Sequence, residues 1–281
     1  MIPAAFDYEA PETLDEAVRM LHENGEDAKL IAGGHSLLPL MKLRLAAPTL
    51  LVDLRRVPGL QHIQRENGSW RIGALTRHAD LQEAAELGVA SVAAGLIADQ
   101  QVRNRGTIGG SLAHGDPASD LPSVLVALEG EVSAQGPNGL RTIAAADLFQ
   151  DYLTTSLAPD EVITEVRLPA SDGWGHGYEK FTRRAEDWAM VGVCAVVKKA
   201  GDGTCEDVRV GLTNMGSTPL RATATEEALR GKALDADSIA NAANQAAEGT
   251  DPPGDLNATP DYKRHLARVL TRRALETAAG A

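Results

Sequence analysis

Cysteine is nearly absent from this chain: Cys194 and Cys205 are the only two among 281 residues, and no C-x-x-C occurs. Two cysteines alone cannot hold an iron–sulfur cluster or a thiolate zinc site. Both read as ordinary thiols, Cys194 within an expected strand and Cys205 at the start of the next. Long apolar runs are also missing; none approaches the ~18 residues of a membrane-crossing helix. The stretch Met1 to Glu9 has neither a basic segment nor a long apolar one, so a secretory leader is not expected and a cytoplasmic location is. Basic residues are in deficit, 27 Lys and Arg against 39 Asp and Glu, for a formal charge of −12. Such a surface repels nucleic-acid backbones and anionic lipids. The familiar nucleotide motifs are missing too. No G-x-G-x-x-G opens the first glycine-rich stretch, and no G-x-x-x-x-G-K-[ST] occurs.

What the chain does have is two glycine-rich stretches. The first is Ala32-Gly33-Gly34-His35-Ser36, and the second runs from Thr107-Ile108-Gly109-Gly110-Ser111 to Asp120. Glycine reaches positive φ cheaply and carries no Cβ, so successive N–H groups can converge on phosphate oxygens. A single Gly-Gly pair is most often a tight turn. Two of them in one domain suggest a pyrophosphate gripped from both sides, and therefore a dinucleotide. Lys29 to Ala32 is a short strand-like run and Leu37 to Leu43 reads as a buried turn of helix. The first glycines then sit at the mouth of a strand, where α/β folds bind ligands.

The rest of the chain reads as mixed α and β. Thr13-x-x-Glu16 fits a capping box, Leu14, Ala17, Val18 and Leu21 form one apolar stripe, and Asn24-Gly25 ends that helix. With a strand around Leu50 to Val52 it gives a β-α-β unit over about residues 1–55. Strands are expected at Trp70 to Ala74, Glu131 to Ala134, Glu161 to Leu168, Val191 to Lys198 and Val208 to Leu212. Helices are expected from Thr76 through Ala85, over Leu121 to Leu128, from about Thr223, and over Tyr262 to Ala278. Pro169 to Gly177 is the linker candidate. The basic residues of the last helix (Lys263, Arg264, Arg268, Arg272 and Arg273) read as a solvated face.

Four segments in order resemble the FAD-binding medium subunits of the molybdenum hydroxylase (xanthine dehydrogenase) family, the aerobic carbon monoxide dehydrogenases being the nearest branch. They are Ala32 to Lys42, Val102 to Ser111, Tyr178-Glu179-Lys180-Phe181-Thr182-Arg183-Arg184 onward to Ala189, and Tyr262 to Leu270. The resemblance runs nearly end to end. It implies an α+β fold, with a two-subdomain FAD-binding domain of the vanillyl-alcohol-oxidase (PCMH) type over 1–172, its subdomains about 1–56 and 57–172. A small α+β C-terminal domain over 173–281 follows. It further implies that Leu30, Ile31, Ala32, Gly33, Gly34, His35, Ser36 and Leu37 wrap the FAD pyrophosphate, and that Thr107, Ile108, Gly109, Gly110 and Ser111 grip it from the other subdomain. Asp120 matches an aspartate near the flavin and ribityl chain, Ile163 an aliphatic contact to the flavin, and Lys180 lies in the segment reaching the isoalloxazine. Many relatives carry Asn where this chain has Ser111. A hydroxyl still donates one hydrogen bond, though not two.

The implied function is that of an electron-transfer subunit holding FAD noncovalently. Its partners would be a large subunit with the molybdenum cofactor and a small one with two [2Fe–2S] clusters, assembled as a dimer of heterotrimers. The electron acceptor would be external: a quinone, NAD or oxygen. No residue of this chain is expected to be catalytic towards the organic substrate, and none to bind metal. His35 and His114 lack a third ligand at metal spacing. Ser111, His114 and Asp116 are too local for a hydrolase triad, and neither Ser36 nor Ser111 sits in G-x-S-x-G. Asp116-Pro117 reads instead as a turn capping the next helix. Two other classes stay open: an autonomous flavin oxidase or reductase, where His35 could tether the flavin covalently, and a non-catalytic nucleotide-binding scaffold.

Overall fold

The computed structural model describes residues 2–280. Its first unit holds β1 (Asp7–Glu9), α1 (Leu14–Asn24), β2 (Ala28–Ile31), α2 (Leu37–Lys42) and β3 (Leu50–Asp53). The three strands form a parallel sheet in the order β1-β3-β2. Thr13 Oγ1 caps α1 by accepting from the Glu16 N–H at 3.2 Å, as the sequence suggests. The reciprocal half of the expected box goes elsewhere, because Glu16 accepts from the N–H of Glu12. Ala17, Val18 and Leu21 pack against Ala28, Val52 and Leu54 to form this unit's core. β1 lies outside the sequence expectation: it is three exposed residues with no buried face to betray it.

The second unit contains β4 (Ile63–Glu66), β5 (Ser69–Gly73), α3 (His78–Glu83), α4 (Val89–Gly95), α5 (Gln100–Arg103), α6 (Ile108–His114) and α7 (Asp120–Ala127). These are followed by β6 (Glu131–Gly136), β7 (Gly139–Ala144), α8 (Ala145–Leu148), β8 (Phe149–Asp151), β9 (Thr154–Thr155) and β10 (Val162–Pro169). Strands β4-β5-β10-β6-β7 make an antiparallel sheet, while β8 and β9 pair as a small hairpin. Helices α4, α6 and α7 bury Ala90, Ala93, Leu112, Val124 and Leu125 against Ile72, Val132 and Val166 of the sheet. Asp116 does start a turn, accepting from the N–H of Ala118 at 2.8 Å, but the N-cap of α7 is Ser119.

The third unit comprises β11 (Gly175–Phe181), β12 (Val191–Lys199), β13 (Cys205–Thr213), β14 (Leu220–Arg221), α9 (Thr223–Leu229), α10 (Ala236–Ala243) and α11 (Pro260–Ala279). Its antiparallel sheet, β11-β12-β13-β14, is covered on both faces. Along β12, Val191, Val193, Ala195 and Val197 point into a core shared with Leu270, Ala274 and Leu275 of α11. Cys194 and Val196, on the opposite face, join the core of the second unit. Period-two alternation with both sets apolar is the signature of a sheet buried on both sides.

Two expectations need correction here. The linker is shorter than Pro169 to Gly177, because Gly175 to Gly177 belong to β11. Those glycines serve packing: a Cβ at either Gly175 or Gly177 would run into the carbonyl of Ala278 or Ala274 in α11. Lys263 is not on a solvated face. It is fully buried, with Nζ 2.9 Å from Asp255 Oδ2, so the long stem packs inside while the charge is met by the 251–258 segment. Both cysteines are buried free thiols.

Candidate functional site

A cleft of about 570 Å³ runs where the three units meet, within the size range of small-molecule sites. Its wall includes Leu30 to Leu37, Thr107, Gly109, Gly110, Ser111, Asp120, Ile163 and Lys180. Of the sequence-derived candidates, Ile108 alone does not line it. Ile108 is 3% exposed and faces the core between α6 and the sheet, and its N–H is taken by the carbonyl of Thr76.

The first glycine stretch leaves the C-terminal end of β2, a position where a parallel strand delivers backbone to a ligand. Gly34 has φ of +75°, a region that costs other L-residues about 1–2 kcal/mol. Its carbonyl accepts from the N–H of Leu38, in the first turn of α2. The N–H groups of Gly33, Gly34, His35, Ser36 and Leu37 have no hydrogen-bond partner among the described residues. Five consecutive free donors on a cleft wall form an anion-binding concavity. Gly33 is glycine for another reason. A Cβ there would strike the Arg105 carbonyl and come within 2.7 Å of Gly106 Cα, so the two stretches interlock backbone to backbone.

The second stretch is built differently. It is the first turn of α6, not a loop, and Thr107 caps it by accepting from the Gly110 N–H at 3.2 Å. The N–H groups of Ile108, Gly109 and Ser111 go to the carbonyls of Thr76, Ala74 and Thr107. Every donor in that turn is therefore used internally. Gly109 packs α6 onto the end of β5, since a Cβ would come within 2.6 Å of Ala74 Cβ. A Cβ on Gly110 would meet only the Thr107 hydroxyl, at 2.9 Å, and Ala32 Cβ, at 3.9 Å, so it would project into the gap between the two stretches. What this turn offers a ligand is therefore space and the Ser111 hydroxyl.

The cleft wall also holds a buried ion pair. Lys180 Nζ is 2.8 Å from Asp120 Oδ2 and 3.0 Å from the Leu96 carbonyl, and both side chains are about 5% exposed or less. An ammonium has three N–H groups, so one remains for a ligand. Burial pushes the Asp120 carboxyl up, and Lys180 and Tyr178 oppose that shift. The cleft histidines are held towards the neutral form. Burial lowers His35, with the Arg105 charge adding to it, and burial likewise lowers His114. His78 is pushed down to about 4 by burial, with smaller contributions from His35 and Arg103. No group of three or more potential metal-ligating side chains occurs among the described residues.

Sequence reasoning missed His78, Ala74, Val162 and Trp188 on the wall. Ala74 and Val162 carry no chemical signal, and His78 lies on a short helix whose pattern gives no hint of a neighbouring glycine turn. Trp188 lies inside a quoted segment, but its place at the cleft follows only from how the segment after β11 folds back.

The arrangement suits a large ligand with an anionic part. Five N–H donors, apolar wall (Leu21, Ala28, Leu54, Ile97 and Ile163) and a polar pair line one cleft. These are the demands of FAD, and the residues present fit it.

Two family descriptions match. Residues 4–171 match the FAD binding domain in molybdopterin dehydrogenase, and residues 176–278 match the CO dehydrogenase flavoprotein C-terminal domain. The carbon monoxide dehydrogenase medium chain of Hydrogenophaga pseudoflava is 44% identical over 283 residues, covering 99% of this chain and 98% of that protein. Subunit alpha of the 6-hydroxypseudooxynicotine dehydrogenase complex of Paenarthrobacter nicotinovorans is 40% identical, covering 99% and 96%. In structure, the chain superposes on carbon monoxide dehydrogenase from Hydrogenophaga pseudoflava, in a form lacking the Mo-pyranopterin moiety, with a TM-score of 0.96. The sequence identity is 46%, and the coverage 100% of this chain and 99% of the other.

Proposed function

Because this chain belongs to the FAD-carrying medium subunits of the molybdenum hydroxylase family, a family of oxidoreductases, we propose that it is the electron-exit subunit of its complex. In this reading the substrate is oxidised at a molybdenum cofactor on a large partner, and electrons arrive through two [2Fe–2S] clusters on a small partner. They leave to an external quinone, NAD or oxygen. The assembly is a dimer of heterotrimers in the cytoplasm, and the FAD domain of this chain ends near residue 172. Bound FAD supplies the redox chemistry, and the protein supplies position and electrostatics.

The residues divide that work. The Gly33 to Leu37 N–H groups hold the anionic middle of the cofactor, and the Ser111 hydroxyl adds one donor from α6. Lys180 and Asp120 present polar atoms to the cleft, and Ile163 forms apolar wall. His35 lies in the free-donor loop and is held towards neutrality, which suits a backbone-led contact and noncovalent binding. No side chain acts as acid or base on the organic substrate. The observation that carries the reading is the run of five unpartnered N–H groups on a cleft wall, in a chain whose two cysteines are buried elsewhere.

The purified protein is expected to be yellow, and acid precipitation to release all flavin as FAD into the supernatant. Flavin left in the pellet would replace this reading with a covalently flavinylated oxidase. Alone, the chain should oxidise neither carbon monoxide nor N-heterocycles, while dithionite bleaches its flavin. With cognate large and small subunits, substrate should bleach it instead. Substrate turnover by the isolated chain would sink the proposal.

A further inference from the structure

Behind the Lys180–Asp120 pair lies a row of hydroxyls. The Tyr178 hydroxyl is 2.7 Å from Asp120 Oδ1, and both residues are buried. A carboxylate only accepts, so the single Tyr178 proton goes to Asp120. The Tyr178 hydroxyl and Thr213 Oγ1 lie side by side over Gly192. Thr213 Oγ1 lies 2.6 Å from Ser123 Oγ; because Ser123 gives its one proton to the Asp120 backbone carbonyl at 3.0 Å, Thr213 is the donor to Ser123. Ser123 and Thr213 are both 0% exposed.

The fold makes room for this row. A Cβ on Gly192 of β12 would lie 3.0 Å from the Tyr178 hydroxyl and 3.1 Å from Thr213 Oγ1, so a larger residue would press on two of its members. The row also joins two domains, since Asp120 and Ser123 belong to α7 and Tyr178, Lys180 and Thr213 to the C-terminal sheet.

We propose that Tyr178, through its hydrogen bond to Asp120, is a positioning residue that holds the Asp120 carboxylate in place, so that Lys180 stays anchored with one N–H free for the FAD in the cleft. This rests on the functional reading above. The titratable groups facing Asp120 are Lys180 and Tyr178, both from β11, with Cys194 of β12 beyond Tyr178. Asp120 is buried, so it stays ionised only through its donors. With Tyr178 removed, it should take up a proton at higher pH, and the anchor of Lys180 should fail there.

The test uses the full-length chain stripped of FAD, wild type beside Tyr178→Phe. Carbon-detected NMR of the Asp carboxyl groups reads the Asp120 midpoint directly, and titration with FAD at each pH reads the consequence. Tyr178→Phe is expected to raise both midpoints together by about one pH unit, with FAD affinity near wild type well above them. Gly192→Ala, whose Cβ would press on the Tyr178 hydroxyl at 3.0 Å, should give a smaller shift in the same direction and serves if Tyr178→Phe does not fold. An unmoved Asp120 midpoint would overturn the proposal. A moved midpoint with unchanged FAD affinity would overturn the positioning role while leaving the functional reading intact. A wild-type chain that binds no FAD at any pH would remove both.

Discussion

The two glycine-rich stretches look alike in sequence and are opposites in structure. The first leaves the N–H groups of Gly33 to Leu37 free, whereas in the second the N–H groups of Ile108, Gly109, Gly110 and Ser111 are all used within the protein. Both contain Gly-Gly followed closely by serine. The difference lies in what precedes and follows them. The first stretch leaves a parallel strand and turns through a positive φ before a helix begins, so its donors have no carbonyls to meet. The second begins with threonine in extended conformation, the ideal helix cap, so its glycines become a first helical turn packed on β5. Gly-Gly marks close backbone approach in both cases. In one the approach is to a ligand, in the other to the rest of the protein.

That contrast predicts which property each substitution destroys first. The largest effect is expected at Gly109→Val, where the new side chain meets Ala74 Cβ at 2.6 Å and the Ala74 carbonyl at 2.8 Å. Overpacking of this kind costs about 3 kcal/mol, so the urea midpoint should fall before FAD affinity can be assessed. Gly34→Ala should show the reverse order. Its strain, about 1–2 kcal/mol, leaves the chain folded, yet FAD retention drops because the donor run is re-aimed. If Gly34→Ala kept full flavin content, the first stretch would be a plain turn.

The frame of the second stretch also carries a pH signature. His78 packs on Gly106, just before that turn, and donates its backbone N–H to the Gly106 carbonyl. His78 is 5% exposed, and burial holds its imidazole at about 4, below the usual 6.5. The unfolded chain therefore binds this proton more readily. The stabilisation is complete above the ordinary value and is lost as pH falls from there towards 4. Between about pH 7 and about pH 5 the loss should reach about 2 kcal/mol. Urea unfolding of wild type and His78→Gln at the two pH values checks it. The variant should lack that share of the acid sensitivity, and equal slopes would mean that His78 is solvated.

The sequence made much of this readable, for physical reasons. α1 was visible because an amphipathic stripe and a cap coincide, and β12 because a long run of Val and Ala has few other homes. The cleft residues were findable because close backbone approach demands glycine whatever its purpose. Purpose was not readable. The division of labour between the two stretches depends on carbonyls of Ala74 and Thr76, brought in from another strand end, and no local pattern encodes that. Lys263 misled for a similar reason. A lysine in a basic helix looks solvated until a distant segment supplies Asp255 as its partner. The Tyr178 row escaped notice because each member is an ordinary strand or helix residue until three elements stack.

The smallest expected effect is also the sharpest test of the contrast. If the second stretch gives a ligand only a hydroxyl, Ser111→Ala removes one neutral hydrogen bond and nothing else. The Ser111 side chain makes no hydrogen bond within the protein among the described residues, and its N–H bond to the Thr107 carbonyl survives the change. Stability should therefore stay within about 0.5 kcal/mol of wild type. FAD affinity should fall by about 1 kcal/mol, roughly fivefold. Ser111→Asn offers a donor of longer reach at the same place and should restore or improve binding. A loss near a hundredfold in Ser111→Ala would mean that the N–H groups of this turn let go of Thr76, Ala74 and Thr107 to grip the ligand. The two stretches would then be equivalent after all. Fluorescence titration of the apo-chain with FAD, read beside urea unfolding, decides between the two outcomes.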